Sequence, residues 1–341
     1  MNILTELSEL KRKVDFNTYD ISVKELISMV SESIIDIAPE YQRQFRWKED
    51  RQSQLIESIF LGIPVPSLFM ATNTDGTWEL IDGVQRLSSI IHFAGTDESR
   101  TKIQLNTKLK LTGLTKLKTI NHKLFLDLPR QVQLEFQLKP LKITTLSDKS
   151  DMDVRFDLFE RLNTGGIVLT NQEIRSCVYR GKFNDFIKEL SNDPNFRHSV
   201  RLTSSQETDG TRDEFVLRFF AFLNNYLNFD HSVVDFLSGY MSEANKRFDY
   251  RNGERIFRDT FQRLRDALPD GITRNRSTSP ANLYEGVAVG AALALIESGN
   301  LVTDHLEWIA SPELKAVTTG ATNSRARVTR RIEFCRDKFL G

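Results

Sequence analysis

From Thr170 onward the chain shows helical spacing almost without interruption, and before that point it does not. "NQEIRSCVYRGKFNDFIKELS", "RDEFVLRFFAFLNNYL", "FLSGYMSEANKRF", "ERIFRDTFQRLRDAL", "YEGVAVGAALALIES" and "SRARVTRRIEFCRDKFL" follow one another with no strand pattern between them. Apolar residues three and four apart define helices with one buried stripe, and a run of such segments cannot continue a sheet. The fold class is therefore α+β followed by all-α. A chain of 341 residues is also too long for one ordinary core. The boundary is expected after residue 175, giving an α+β domain over 1–175 and an all-α helical domain over 176–341.

The first domain mixes periods. "TYDISVKELISMV" predicts a short strand running into a helix. "KEDRQSQLIESIFLG" places Leu55, Ile56, Ile59 and Phe60 on one helical face before Gly62 stops it. "VPSLFMATN" and "TWELID" are β-rich runs joined through Thr74-Asp75-Gly76, and Asp-Gly between such runs signals a hairpin. After Asp82-Gly83 the spacing changes to helical, with Leu87, Ile90, Ile91 and Ala94 on one face. "LKITTLS" predicts another strand and "DMDVRFDLFERLN" a helix ending at Gly165-Gly166, whereas "TKLKLTGLTKLKTINHKLFLDLP" has no firm period.

Several function classes are excluded. The chain holds 46 basic and 46 acidic residues, so it exerts no overall electrostatic pull on nucleic acid, and any DNA contact must come from a local patch. No segment reaches the roughly 20 apolar residues of a membrane span, so no membrane partner is expected. The start, "MNILTELSELKRKVDF", lacks the pattern of an export signal. Cys177 and Cys335 form no Cys-x-x-Cys pair, and with the missing signal this gives a cytoplasmic expectation. His92, His122, His198, His231 and His305 are scattered singly without metal-ligand spacing.

Asp82-Gly83-Val84-Gln85-Arg86 occupies the joint between the predicted strand and helix. A helix's first turn has unpaired N–H groups and a partial positive charge, so a phosphate there is held by backbone donors and by the dipole. Gly83 lets the backbone come close, Arg86 supplies a planar fork of donors, Gln85 can orient a water, and Asp82 offers a hard oxygen to magnesium. The same residues also read as an N-cap, a turn and a surface arginine.

Three further stretches admit two readings each. "PEYQRQFRWKED" brings Gln42, Arg43, Arg46 and Trp47 together, either to hold phosphates and stack a base or as a solvated basic edge with Trp47 in the core. In "FERLNTGGIVLTNQEIRS", Thr170 and Glu173 form a capping box, which leaves Asn163 as the site candidate. The last helix concentrates Arg325, Arg327, Arg330, Arg331, Arg336 and Lys338; it reads as a DNA-contacting face, extended by Arg274 and Arg276, or as charge that complements the helix dipole.

Pro39-x-Tyr41-Gln42-Arg43 with Trp47, then "ESIFLGIPVPSLFM", "LIDGVQRLSSI" and "FERLNTGGIVLTNQE", in that order, resemble the GmrS-type N-terminal domain family, domain of unknown function 262. The resemblance spans roughly Ser22 to Ser176. It implies a ParB/sulfiredoxin-like fold and a superfamily that binds nucleotides, some of whose members hydrolyse nucleoside triphosphates and several of which act in bacterial defence against foreign or modified DNA. The family signature Asp-Gly-Gln-Gln-Arg falls on Asp82 to Arg86, with Val84 in place of the first amide. Gln42 and Arg43 match the earlier Gln-Arg pair, and Asn163, Gly165 and Gly166 the later Asn-x-Gly-Gly element. No cysteine lies between Leu80 and Leu87, so sulfiredoxin chemistry is excluded.

The expectation is a nucleotide-binding, nucleoside-triphosphate-hydrolysing regulatory protein of a restriction or anti-phage system. Its cofactor is a nucleoside triphosphate with magnesium. Gln42, Arg43, Gly83, Arg86 and Asn163 would bind the nucleotide, Asp82 would hold magnesium, and Asp82, Gln85 and Arg86 would act in catalysis. A nuclease activity would come from a separate partner subunit. The alternatives are a DNA-binding module without catalysis and a scaffold for that nuclease.

Overall fold

The computed structural model describes residues 2–3, 5, 15–37, 47–73, 75–147, 152–162, 169–274, 277–320 and 323–341. The chain divides into two compact units, Met1–Val168 and Leu169–Gly341. The expected boundary lies a few residues later, inside a helix whose Arg175 is buried and bonded to Glu214 and Ser238 of the second unit.

In the first unit, β1 (Phe16–Ser22) runs directly into α1 (Val23–Ser31), and the Ser22 hydroxyl accepts the Glu25 N–H as an N-cap. A two-residue β2 (Ile35–Asp36) follows. Helix α2 (Glu49–Leu61) begins with two acids and ends where Gly62 takes φ 69°. The hairpin is β3 (Leu68–Thr72) and β4 (Trp78–Asp82), with Asp75 Oδ1 accepting the N–H and hydroxyl of Thr77 in the turn. After Gly83 come α3 (Val84–Ala94), α4 (Asp97–Lys102), α5 (Arg130–Leu138), β5 (Pro140–Leu146) and α6 (Met152–Leu162).

The five strands form one mixed sheet in the order β1-β5-β3-β4-β2. β3 and β4 are antiparallel, whereas β5 joins β3 and β2 joins β4 in parallel. Strand β4 is thus paired on both sides, and it delivers Asp82 to the helix from a fixed position. Of the predicted stripe Leu87, Ile90 and Ile91 are fully buried and Ala94 is half-buried; Leu80 of β4 is fully buried too, and the rings of Phe60, Phe93, Phe125 and Phe136 close the core behind α3. The stretch without a period is held by side chains of α2. Ser53 accepts the Thr112 N–H, and Glu57 Oε1 accepts those of Lys116 and Leu117 at 2.8 and 2.7 Å. Burial disfavours the Glu57 charge, but these N–H groups outweigh it and hold the carboxyl below the ordinary carboxylate range.

Among its described residues the second unit has helices and no strand: α7 (Asn171–Val178), α8 (Lys182–Leu190), α9 (Pro194–Ser199), α10 (Thr211–Asn225), α11 (Val233–Lys246), α12 (Tyr250–Ala267), α13 (Ala281–Ser298), α14 (Pro312–Thr318) and α15 (Arg325–Leu340). The capping box of Thr170 and Glu173 opens α7 as its sequence predicts. The single helix expected from Asn171 to Ser191 is instead two. Gly181 turns the chain at φ 146°, and Asn245 bonds the Tyr179 carbonyl and the Phe183 N–H on either side of it.

Helix α13 is the buried centre, packed against α10, α12 and most extensively α15. Gly286 and Gly290 permit the last contact: a Cβ on Gly286 would lie 3.1 Å from the Arg331 carbonyl oxygen, and one on Gly290 2.6 Å from Cys335 Cβ. A line of alternating charge crosses this core, from Arg175 through Glu214, Arg218 and Glu285 to Arg331. Burial works against the Arg218 charge, yet Glu214 and Glu285 together raise its pKa.

Candidate functional site

At the end of β4 the backbone turns sharply into α3. Gly83 has φ 110°, and a Cβ there would lie 2.3 Å from Leu68 Cδ2, so the position takes glycine alone. Gly83 is also the N-cap of α3, and no side chain caps the helix and no acidic residue stands in its first turn. Asp82 is therefore not the N-cap. Gly83, having no side chain, offers the helix start no side-chain cap of its own.

Arg86 is neither a surface arginine nor an open fork. Its Nη1 donates to the carbonyls of Pro66 and Ser67 at 2.5 and 2.8 Å, and its Nη2 to Asp82 Oδ2 at 2.6 Å. Its side chain is only 12% exposed and that of Asp82 32%. Three of the five guanidinium N–H donors are engaged by these bonds, which leaves two, and Asp82 keeps a second oxygen with no partner among the described residues. Val84 is buried, so the departure from the family signature turns its side chain into the core.

The second motif reaches this turn through Trp47. Its N–H donates to Gln85 Oε1 at 3.1 Å, and its carbonyl accepts from Gln52 Nε2 at 2.7 Å. Gln52 Oε1 lies 2.9 Å from His92 Nδ1, and His92 Nε2 lies 3.1 Å from Thr107 Oγ1. Because Gln52 donates through its nitrogen, its oxygen must accept, which assigns the imidazole proton to Nδ1 and makes Nε2 the acceptor for Thr107. Burial pushes His92 below its ordinary pKa of 6.5; Glu49 opposes this shift and Arg100 adds to it. The Arg51 guanidinium stands 4.4 Å from the centroid of the Trp47 ring.

Asp82, Gly83, Gln85 and Arg86 are thus together, with Trp47 docked on them. Gln42, Arg43, Arg46 and Asn163 lie outside the described residues, as do Gly165 and Gly166. Gln52, His92 and Thr107 are additions that sequence reading did not single out, since their partners lie 15 or 40 residues away and no local pattern marks them. Among the described residues no group of three or more His, Cys, Asp or Glu could hold a metal ion. A magnesium here would take one carboxylate oxygen from Asp82 and the remainder from phosphates and water, and this donor set fits that ion.

The C-terminal arginines separate. Arg331 is fully buried and bonded to Glu285, so it is a core residue and not a DNA-facing one. Arg325, Arg327 and Arg330 are exposed, but Arg325 Nε donates to the Phe229 carbonyl. A groove of about 700 Å³ on this face is lined by Glu333 and Asp337 as well as Arg325 and Arg330, so its charge is mixed. Arg274 does not extend a basic patch, because its guanidinium is bonded to the hydroxyls of Thr318 and Thr319; Arg276 lies outside the described residues.

Residues 23–180 match the family described as the GmrSD restriction endonuclease, N-terminal domain. This stretch, a little under half of the chain, is similar to that family, the one its four motifs resemble. Among solved structures the chain is similar to a Pnob8-like ParB-N domain, at 11% identity and a TM-score of 0.24, over 95% of this chain and 96% of that one. No curated protein matches it. The α+β character of the first unit and the helical character of the second rest on their own elements. No described helix is long and apolar enough to cross a membrane.

Proposed function

We propose that the turn from β4 into α3 binds the phosphates of a nucleoside triphosphate with magnesium, and that the chain is the nucleotide-responsive component of a restriction or anti-phage system. The observation that carries this reading is the hydrogen bond from Trp47 to Gln85. It ties Trp47 to the start of α3, whose N-cap Gly83 supplies no side-chain cap. Gly83 and the first turn of α3 cradle one phosphate. Arg86 offers its two remaining donors, and Arg43, outside the described residues, is assigned to the same phosphates. Asp82 supplies magnesium with its second oxygen.

Hydrolysis by this site is attack of water on the γ-phosphorus, with the bond to the departing diphosphate breaking and the water proton lost to solvent. Gln85 is the side chain beside that water. Release of the γ-phosphate contacts then acts as the switch. Cleavage of DNA belongs to a separate nuclease subunit in the same cytoplasm, and Asn163 adds to the nucleotide contacts.

The test is calorimetric titration of the full chain with each of the four nucleoside triphosphates and magnesium, with phosphate release measured on the same samples. Asp82→Asn is the informative variant, because an amide oxygen can still accept from Arg86 while the charge for magnesium is gone. The expected result is magnesium-dependent binding by the parent that weakens at least about tenfold in the variant, the loss of one charge-assisted contact. No binding by folded parent protein overturns the proposal.

A further inference from the structure

Trp47 is half-buried, yet both of its backbone groups are fixed. Gln85 accepts its N–H, Gln52 donates to its carbonyl, and Gln52 is itself held by His92. Gln52 and His92 are 3% and 5% exposed, so the Trp47 carbonyl is held by a buried amide that a buried imidazole fixes in turn. The Trp47 indole N–H has no acceptor among the described residues, and Arg51 supports the ring with a cation. A rigid backbone, a partly open aromatic face, a free ring donor and an adjacent guanidinium form a preorganised platform for a flat, electron-rich ligand.

From this juxtaposition we infer that Trp47 is the stacking platform for the nucleobase, with Arg51 as its support and the indole N–H as a donor to the ribose or base edge. The inference rests on the phosphate reading given above and deepens it. Stacking uses the π-face that every base has, so the platform takes purines and pyrimidines alike, and the phosphates select nucleotides as a class.

Because the clamp uses backbone groups only, Trp47→Leu removes the platform and leaves the hydrogen bonds to Gln85 and Gln52 in place. The experiment compares inorganic tripolyphosphate with the four nucleoside triphosphates, each with magnesium, on the full-length parent, Trp47→Leu and Trp47→Phe, and thermal melts confirm that the variants fold. Nucleotides are expected to bind the parent about 5- to 150-fold more tightly than tripolyphosphate, the range of one stacked base. Trp47→Leu brings them to the tripolyphosphate level without changing tripolyphosphate binding, and Trp47→Phe retains most of the gain. In a Trp78→Phe, Trp308→Phe background the remaining indole emission is quenched by nucleotides and not by tripolyphosphate; should that background not fold, the calorimetric comparison decides alone.

Nucleotides that bind no more tightly than tripolyphosphate, or a gain that survives Trp47→Leu, overturn the stacking role while leaving the phosphate site standing. A chain that binds neither ligand overturns both.

Discussion

Replacing Glu285 by Gln should destabilise the helical unit more than any surface change on α15. Glu285 and Arg331 are fully buried, and the carboxylate serves Arg331 through Oε2 and Arg218 through Oε1. An amide accepts through one of these atoms only and turns its NH₂ toward the other guanidinium, setting donor against donor. Breaking a buried pair by removing one partner costs about 3–5 kcal/mol, because the remaining charge is left in a poor environment. For a unit of this size each kcal/mol corresponds to about 2–4 °C, so the midpoint should fall by about 6–20 °C. Differential scanning calorimetry of the full chain reads the transition of the helical unit directly. Arg330→Ala is the control; Arg330 is exposed with no partner among the described residues, and its loss should stay within about 0.5 kcal/mol. The double variant Glu285→Leu, Arg331→Met should cost less than the sum of its singles by about 0.5–3 kcal/mol, since each single leaves a charge that the pair does not. A Glu285→Gln variant within 1 kcal/mol of the parent (about the cost of an ordinary substitution), or an Arg330→Ala variant equally damaging, would refute the reasoning.

Gly83→Ala combines a positive φ, costing about 1–2 kcal/mol, with overpacking against buried Leu68, costing about 1–3 kcal/mol. Urea unfolding should show a loss of about 2–5 kcal/mol by these same terms, and a change below a few tenths would mean that the turn relaxes freely. His92 gives the first unit a pH dependence of known sign. The unfolded chain takes up a proton near the ordinary 6.5, whereas the folded chain holds it only at lower pH, so stability is full above 6.5 and falls as pH drops below it. His92→Gln should flatten the slope of melting temperature between about pH 5 and 7, and identical slopes in parent and variant would remove His92 as the cause.

Local chemistry was legible in the sequence and long-range pairing was not. The hairpin through Asp75-Gly76, the stop at Gly62 and the capping box at Thr170 all depend on residues a few positions apart, and each forms as its pattern predicts. The joint at Asp82 to Arg86 was visible for the same reason. What Arg86 touches was not, because the carbonyls of Pro66 and Ser67 come from the preceding connection and carry no side-chain signal. Arg331 shows the converse: on a helix rich in arginine its charge reads as surface, and only Glu285, 46 residues earlier, makes it core. Gly181 split an expected helix because Asn245, from a helix far along the chain, ties the two ends of the break.

The contact at Gly286 and Gly290 has a mechanical meaning for the last helix. Each glycine is a notch that admits the backbone of α15, and one turn of helix advances about 5.4 Å. A slide by one turn would carry Arg331 past Glu285 and drive other side chains against the notches. Helix α15 is thereby indexed like a key in its ward: it can tilt with α13 as one body, but it cannot creep along it. Any motion that the helical unit transmits must be carried by the connections between helices, with this pair travelling as a single rigid spar.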